Sequence, residues 1–259
     1  MVDLSFSMTE LEYFLLIVVR VTVFIYAAPF FGMANTPNRV KIAMGVLISA
    51  LLYRIVPITE LPYNTVLMYS VIVLKEAITG VLIGFGAGIC TSILNFAGQM
   101  VDMETGLSMV SLMDPVSRDS VTITGTYYQY GVMLLLLISG MYQFVLGALT
   151  ESFKLIPVNG AIFNSEKLLA SISVFLVDYL VMGFRICLPV FASMLLLNTI
   201  LGILAKVSPQ LNMFAVGIQL KILVGIAVMF ITVGLLPGIS NMIMSEIRKM
   251  TTLFVEAMM

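Results

Sequence analysis

Between residues 168 and 205 the chain carries only two charged side chains, Asp178 and Arg185. Apolar runs on this scale leave few options, because a helix needs about 20 mostly apolar residues to cross a bilayer. Lipid offers no water to satisfy a bare backbone, so such runs fold as helices. Six stretches reach or approach that length: 11–31, 40–58, 66–94, 128–149, 168–205 and 213–236. The fifth is too long for one straight span. Pro189 lies inside it, and proline removes a helical hydrogen bond and kinks or breaks the helix. The reading is six to seven long hydrophobic helices and broken hairpins in an all-α membrane protein.

Charge supports this class. Only 10% of the 259 residues are charged and 60% are hydrophobic, with a mean hydropathy of +1.09. A soluble domain carries roughly 25% charged residues, so the apolar surface must face lipid, partner subunits, or both. A net charge of -1 gives no basic face for nucleic acid. Nor is there a polybasic run for anionic lipid. The N-terminal flank has Asp3, Glu10 and Glu12 and no basic residue before Arg20. That is not the positive n-region of a cleaved signal peptide, so the first run reads as a retained helix.

Enzyme chemistry finds no foothold. Histidine is absent, which removes the commonest general base and metal ligand. Cys90 and Cys187 stand alone inside apolar runs and read as buried small hydrophobes. Asp102 and Glu104 are two apart and would not face each other on a helix. The glycines near Gly84 lack the Gly-Lys-Ser/Thr ending of a phosphate loop. Nothing calls for a cofactor or a metal ion.

Several residues ask for more than generic packing. A charge inside an apolar helix costs roughly 2.5–3.5 kcal/mol on insertion scales, so it faces a partner or water. Arg20, Lys75, Glu76, Asp178, Arg185 and Lys221 are such charges. Asp178 and Arg185 are seven apart, two turns along one face. They either neutralise each other, pair with other helices or line a wet cavity, where a proton relay is a further option. Gly80, Gly84 and Gly88 form a ridge without side chains, with Glu76 one turn earlier on the same face. Such a ridge lets another helix approach closely, from this chain or from another subunit. Gly217, Lys221 and Gly225 repeat the spacing in the last run.

The connector 95–126 stands apart. It holds Asp102, Glu104, Asp114, Arg118 and Asp119, with Gly106, Pro115 and a cluster of Met100, Met103, Met109 and Met113. Connectors longer than about 12–15 residues are usually functional or disordered, and this one is too apolar for a disordered linker. Methionine clusters suit surfaces that re-pack around varied partners. If six spans hold, the basic residues divide four against four, Lys154, Lys167, Arg248 and Lys249 opposite Arg39, Lys41, Arg118 and Lys206, and give no orientation.

Together these stretches resemble the FliR family, the R-type subunit of the flagellar type III protein export gate, with injectisome relatives. The resemblance runs in order along nearly the whole chain. It includes Val19-Arg20-Val21, Ala28-Pro29-Phe30 and Pro37-Asn38-Arg39-Val40-Lys41. Gly84-Phe85-Gly86, Gly98-Gln99 and Gly106-Leu107-Ser108 follow, then Met113-Asp114-Pro115-Val116-Ser117. Leu188-Pro189-Val190, Ser208-Pro209-Gln210-Leu211-Asn212-Met213-Phe214, Gly217 and Lys221 close the series. The chain departs from the family at Ser139-Gly140-Met141, where Asn-Gly-His is common, and at Gln219, where proline is common. The Gly217 context leans to the flagellar branch.

The resemblance implies a structural and gating subunit of the export channel, not an enzyme, in the bacterial inner membrane at the flagellar basal body. It implies that residues 1–165 are similar to a P-type subunit and that 166–259 form a hairpin similar to a Q-type subunit, in one integrated unit. The implied partners are P-type and Q-type subunits, the larger membrane components of the apparatus, membrane lipid and exported unfolded proteins. It places a pore plug on Gly106, Leu107, Ser108, Met109, Met113, Asp114, Pro115 and Ser117. Packing between helices or subunits is expected at Arg20, Glu76, Gly80, Gly84, Gly88, Asp178, Arg185, Pro209, Gln210, Gly217 and Lys221. Two other classes fit the residues more loosely. A small-solute secondary transporter would show broken helices around a midplane site, and a plain membrane scaffold needs no specific residues at all.

Overall fold

The structure is a computed structural model and describes residues 8–33, 36–57, 63, 65–108, 122–208, 210 and 212–259, without the side chains of 213 and 214. Among the described residues all regular structure is helical: α1 Met8–Ala27, α2 Asn38–Tyr53, α3 Val66–Gly88, α4 Ser92–Thr105, α5 Ile123–Ile138, α6 Met141–Leu155, α7 Ser165–Val207, α8 Met213–Thr232 and α9 Leu236–Glu256. Short 3-10 turns at Ile89–Thr91 and Val233–Leu235 run α3 into α4 and α8 into α9. The all-α membrane class read from the sequence is what the chain adopts. Among the described residues three helical runs are long and apolar enough to cross a membrane, Val66–Thr105, Ser165–Val207 and Ala215–Glu256, or up to four if the interrupted pair α5 and α6 counts as one span.

Three expectations change. The fifth apolar stretch is one continuous 43-residue helix with Pro189 inside it, not two helices. Proline removes one donor, while Ile186 and Val190 on either side of it are fully packed and hold the path. The fourth stretch is broken instead, at Ser139–Gly140, where Gly140 takes φ 75°. That left-handed conformation comes readily only to glycine. Finally, α4 runs to Thr105 and α5 starts at Ile123, so the connector is shorter than 95–126 and both Asp102 and Glu104 are helical. With three or four candidate spans in place of six, the four-against-four division of basic residues loses its basis.

The chain forms two compact units. The first comprises Met1–Cys90, Gly140–Phe175 and Ser245–Met259. Its centre is α1, which buries Tyr13, Leu16, Ile17, Arg20, Val21, Phe24 and Ile25. That is the i, i+3, i+4 stripe of a core-facing helix. The glycine ridge of α3 lies against this stripe. A side chain at Gly80 would collide with the carbonyl of Arg20, and one at Gly88 with that of Ala27. At Gly84 a Cβ would sit 2.7 Å from the Phe24 carbonyl oxygen and 2.9 Å from the Ala27 Cβ. Gly84→Leu should therefore lose about 1–3 kcal/mol to overpacking, read as a lower unfolding midpoint in detergent. An unchanged midpoint would mean the two helices can part without loss.

Glu12 of α1 accepts at its carboxylate from the Tyr63 hydroxyl, and at its carbonyl from the Tyr69 hydroxyl of α3 at 3.1 Å. The bond to Glu12 pushes the Tyr63 phenol above its ordinary pKa, since losing the proton would set two negative charges together. The second unit comprises Thr91–Ser139 and Leu176–Met244. In it α4 packs on α5 and α8. Gly183 of α7 makes room for Phe96, whose ring stacks on Tyr179 at 4.9 Å and meets Phe184 edge-on at 6.0 Å.

Candidate functional site

Within the second unit, α4 and α5 lead into and out of the segment on which the plug expectation falls. They meet through glycine. A Cβ on Gly98 would run into the backbone of Gly125, so the two helices touch main chain to main chain. One turn further along α4, Asp102 is buried. Its carboxylate accepts from the Thr124 backbone N–H, 3.3 Å from both oxygens, and from the Thr124 hydroxyl. Thr124 is in the first turn of α5, where free N–H groups and the helix dipole favour a negative charge. The residue before α5, Thr122, supplies no side-chain cap. Asp102 does that work from the neighbouring helix.

The chain then leaves α4 through Gly106 at φ 81°, ψ 4°. A Cβ there would meet nothing within 4 Å, so its glycine is explained by backbone conformation, the usual left-handed helix end. Leu107 and Ser108 follow, half-buried. Met109, Met113, Asp114, Pro115 and Ser117 lie outside the described residues. What the structure provides is a base: an exit at Gly106, and a return at Thr122–Thr124 fastened to Asp102. Asp102→Ala should cost about 1 kcal/mol, the usual loss for a helix N-terminal cap, whereas Asp102→Asn keeps an acceptor and most of the stability. Equal melting of both variants would remove the cap from this account.

Arg20 and Glu76, expected to pack between helices or subunits, lie together in the first unit. Arg20 and Glu76, both 0% exposed, form an ion pair with Arg20 Nε 2.6 Å from Glu76 Oε2. Arg20 also donates to the carbonyls of Ile156 at 2.9 Å and Pro157 at 3.4 Å, and lies over the Phe153 ring at 4.3 Å. Glu76 accepts from the Asn159 N–H at 2.8 Å, and Lys75 donates to the Asn159 carbonyl at 3.0 Å. This network fastens the 157–160 turn, where Asn159 holds φ 66°, onto α1 and α3. All of it lies in the first unit.

Among the described residues no ion pair joins Asp178 to Arg185; Arg185 is exposed and lines a notch of about 300 Å³ with Pro189, Leu235 and Met242. Gly217 is buried, Lys221 half-buried and Gln210 exposed, while Pro209 lies outside the described residues. Asn212 of the same motif caps α8, accepting from the Ala215 N–H at 3.4 Å. Asp102, Thr124 and Gly125 were not among the candidate site residues. The signal that could have found them is a carboxylate and two glycines flanking the connector.

The faces of the long helices are widely apolar and uncovered. In its most apolar window α7 is 22% buried within the chain, and the run Ala215–Glu256 is 11% buried. Leu196, Ile203, Leu223, Phe230 and Ile231 are more than half exposed. Surfaces of this extent are covered by lipid or by other subunits.

Comparison with known proteins adds a direct result. The sequence profile of the family described as bacterial export proteins, family 1, matches residues 11–247. Flagellar biosynthetic protein FliR of Pectobacterium carotovorum subsp. carotovorum is 28% identical over 233 residues, 88% of this chain and 87% of that protein. FliR of Escherichia coli (strain K12) is 28% identical over 232 residues, 88% and 87% of the two chains. FliR of Bacillus subtilis (strain 168) is 26% identical over 250 residues, 95% and 92%.

Proposed function

The chain belongs to the bacterial export proteins, family 1, and from that footing we propose that it is a structural and gating subunit of the flagellar type III protein export channel. The observation that carries the gating role is the fastened base of the 106–122 segment: Gly106 as exit, Asp102 and Gly98 as anchors for the return. A plug must be held at its root while its tip yields to passing chains. On this reading Leu107, Ser108, Met109 and Met113 seal around exported unfolded proteins without sequence-specific contacts, and energy comes from elsewhere in the apparatus. The chain works by position and packing, not by catalysis.

P-type and Q-type subunits are the proposed partners, with residues 1–165 related to the first and 166–259 to the second. The uncovered faces of α7 and α8 are the surfaces for them, and for lipid. The proposed location is the inner membrane at the flagellar basal body. The secondary-transporter reading is not favoured: the family match covers residues 11–247, and the charges of Arg20 and Glu76 are held together in a buried ion pair.

Native mass spectrometry after co-expression with P-type and Q-type subunits of the same source tests the proposal. A stable mixed complex containing this chain is expected. A chain that purifies only alone or with itself would overturn it.

A further inference from the structure

We infer that the groove between α6 and the end of α9 receives a basic, amphipathic segment of another subunit of the export apparatus, an inference that rests on the export-subunit reading. Both walls belong to the first unit. The groove encloses about 520 Å³ and is lined by Phe144, Gly147, Glu151, Thr251, Val255 and Glu256 among others. At Phe144 the Arg248 guanidinium lies over the ring at 5.3 Å. Two helical turns on, about 10 Å away, Glu151 on α6 and Glu256 on α9 stand at the rim. Both are exposed, and neither carboxylate forms an ion pair among the described residues. Between the ends the lining is mostly apolar, with Thr251 and Thr252 among it.

Gly147 leaves open space, with nothing within 4 Å of where a Cβ would stand. Two rim carboxylates repel the phosphate of a phospholipid and attract lysine or arginine. An apolar strip about two turns long with acidic groups at one end fits one face of an amphipathic helix with a basic end.

The test places the photo-crosslinking residue p-benzoylphenylalanine at position 147, where the structure has room for it, in the full chain expressed with the rest of the apparatus. After irradiation the complex is purified on a tag carried by this chain and the adduct sequenced by mass spectrometry. The expected result is one discrete adduct to another subunit, at a peptide with Lys or Arg beside apolar residues. Reversing both rim charges, Glu151→Lys with Glu256→Lys, should lower adduct yield about tenfold, the effect of losing two partly exposed ion pairs and gaining repulsion. An adduct to lipid alone, an adduct to a second copy of this chain, or an intact complex without adduct would each overturn the inference while leaving the export reading standing. Absence of any mixed complex in the same preparation would overturn both.

Discussion

Glu76→Ala should abolish accumulation of the folded chain. Arg20 and Glu76 are both fully buried and bonded at 2.6 Å. Removing the carboxylate strands a guanidinium whose remaining partners are the carbonyls of Ile156 and Pro157 and the Phe153 ring. Breaking one side of a buried pair costs about 3–5 kcal/mol, because the other charge is left uncompensated. Whole domains are stable by only about 5–15 kcal/mol. The same substitution frees the Asn159 N–H that holds the 157–160 turn. Glu76→Gln keeps an acceptor and should fall between the extremes. Arg20→Met with Glu76→Leu removes both charges and keeps bulk, and apolar replacements of this kind are often neutral or stabilising. The measurement is the yield of monodisperse protein by size-exclusion chromatography in detergent. A Glu76→Ala yield equal to that of the double variant would show that the pair carries no such weight.

The second large effect is on conductance. Deleting 106–116 should leave a complex that assembles and a pore that leaks ions. The deletion removes the Gly106 exit but keeps the anchors of the return, because Gly98, Asp102, Thr124 and Gly125 all lie outside it. Assembly, read by native mass spectrometry, should persist. Membrane conductance, read by ion flux in cells or by current across a planar bilayer, should rise well above that of the intact complex. An assembled deletion variant with unchanged conductance would sink the plug.

How much of this the sequence shows depends on range. The apolar runs, the oddness of the connector and the glycine spacing of α3 are local patterns, legible because helix periodicity acts within a few residues. The partner of the glycine ridge is not local. Only the folded chain shows that Gly80, Gly84 and Gly88 meet α1. The Arg20–Glu76 pair joins residues 56 apart, and no periodicity links them. Pro189 and Gly140 mislead in opposite directions. A strong breaker is overridden by packing on both sides, and an apolar run is cut by one residue whose φ no hydropathy pattern records. Asp102 looks from the sequence like a loop acid. Its capping of α5 depends on two helices brought together across the connector.

The clamp between Asp102 and Thr124 has one more consequence, for length. Once both ends of a segment are fixed by the body of the protein, the entropy of closing it grows only with the logarithm of its length. Doubling even a fully flexible loop adds about 0.6 kcal/mol. The fold is therefore nearly indifferent to how many residues lie between Gly106 and Thr122. On the plug proposal, a phenotype produced by lengthening that stretch reports on the passage of substrate, since closing a longer loop costs little.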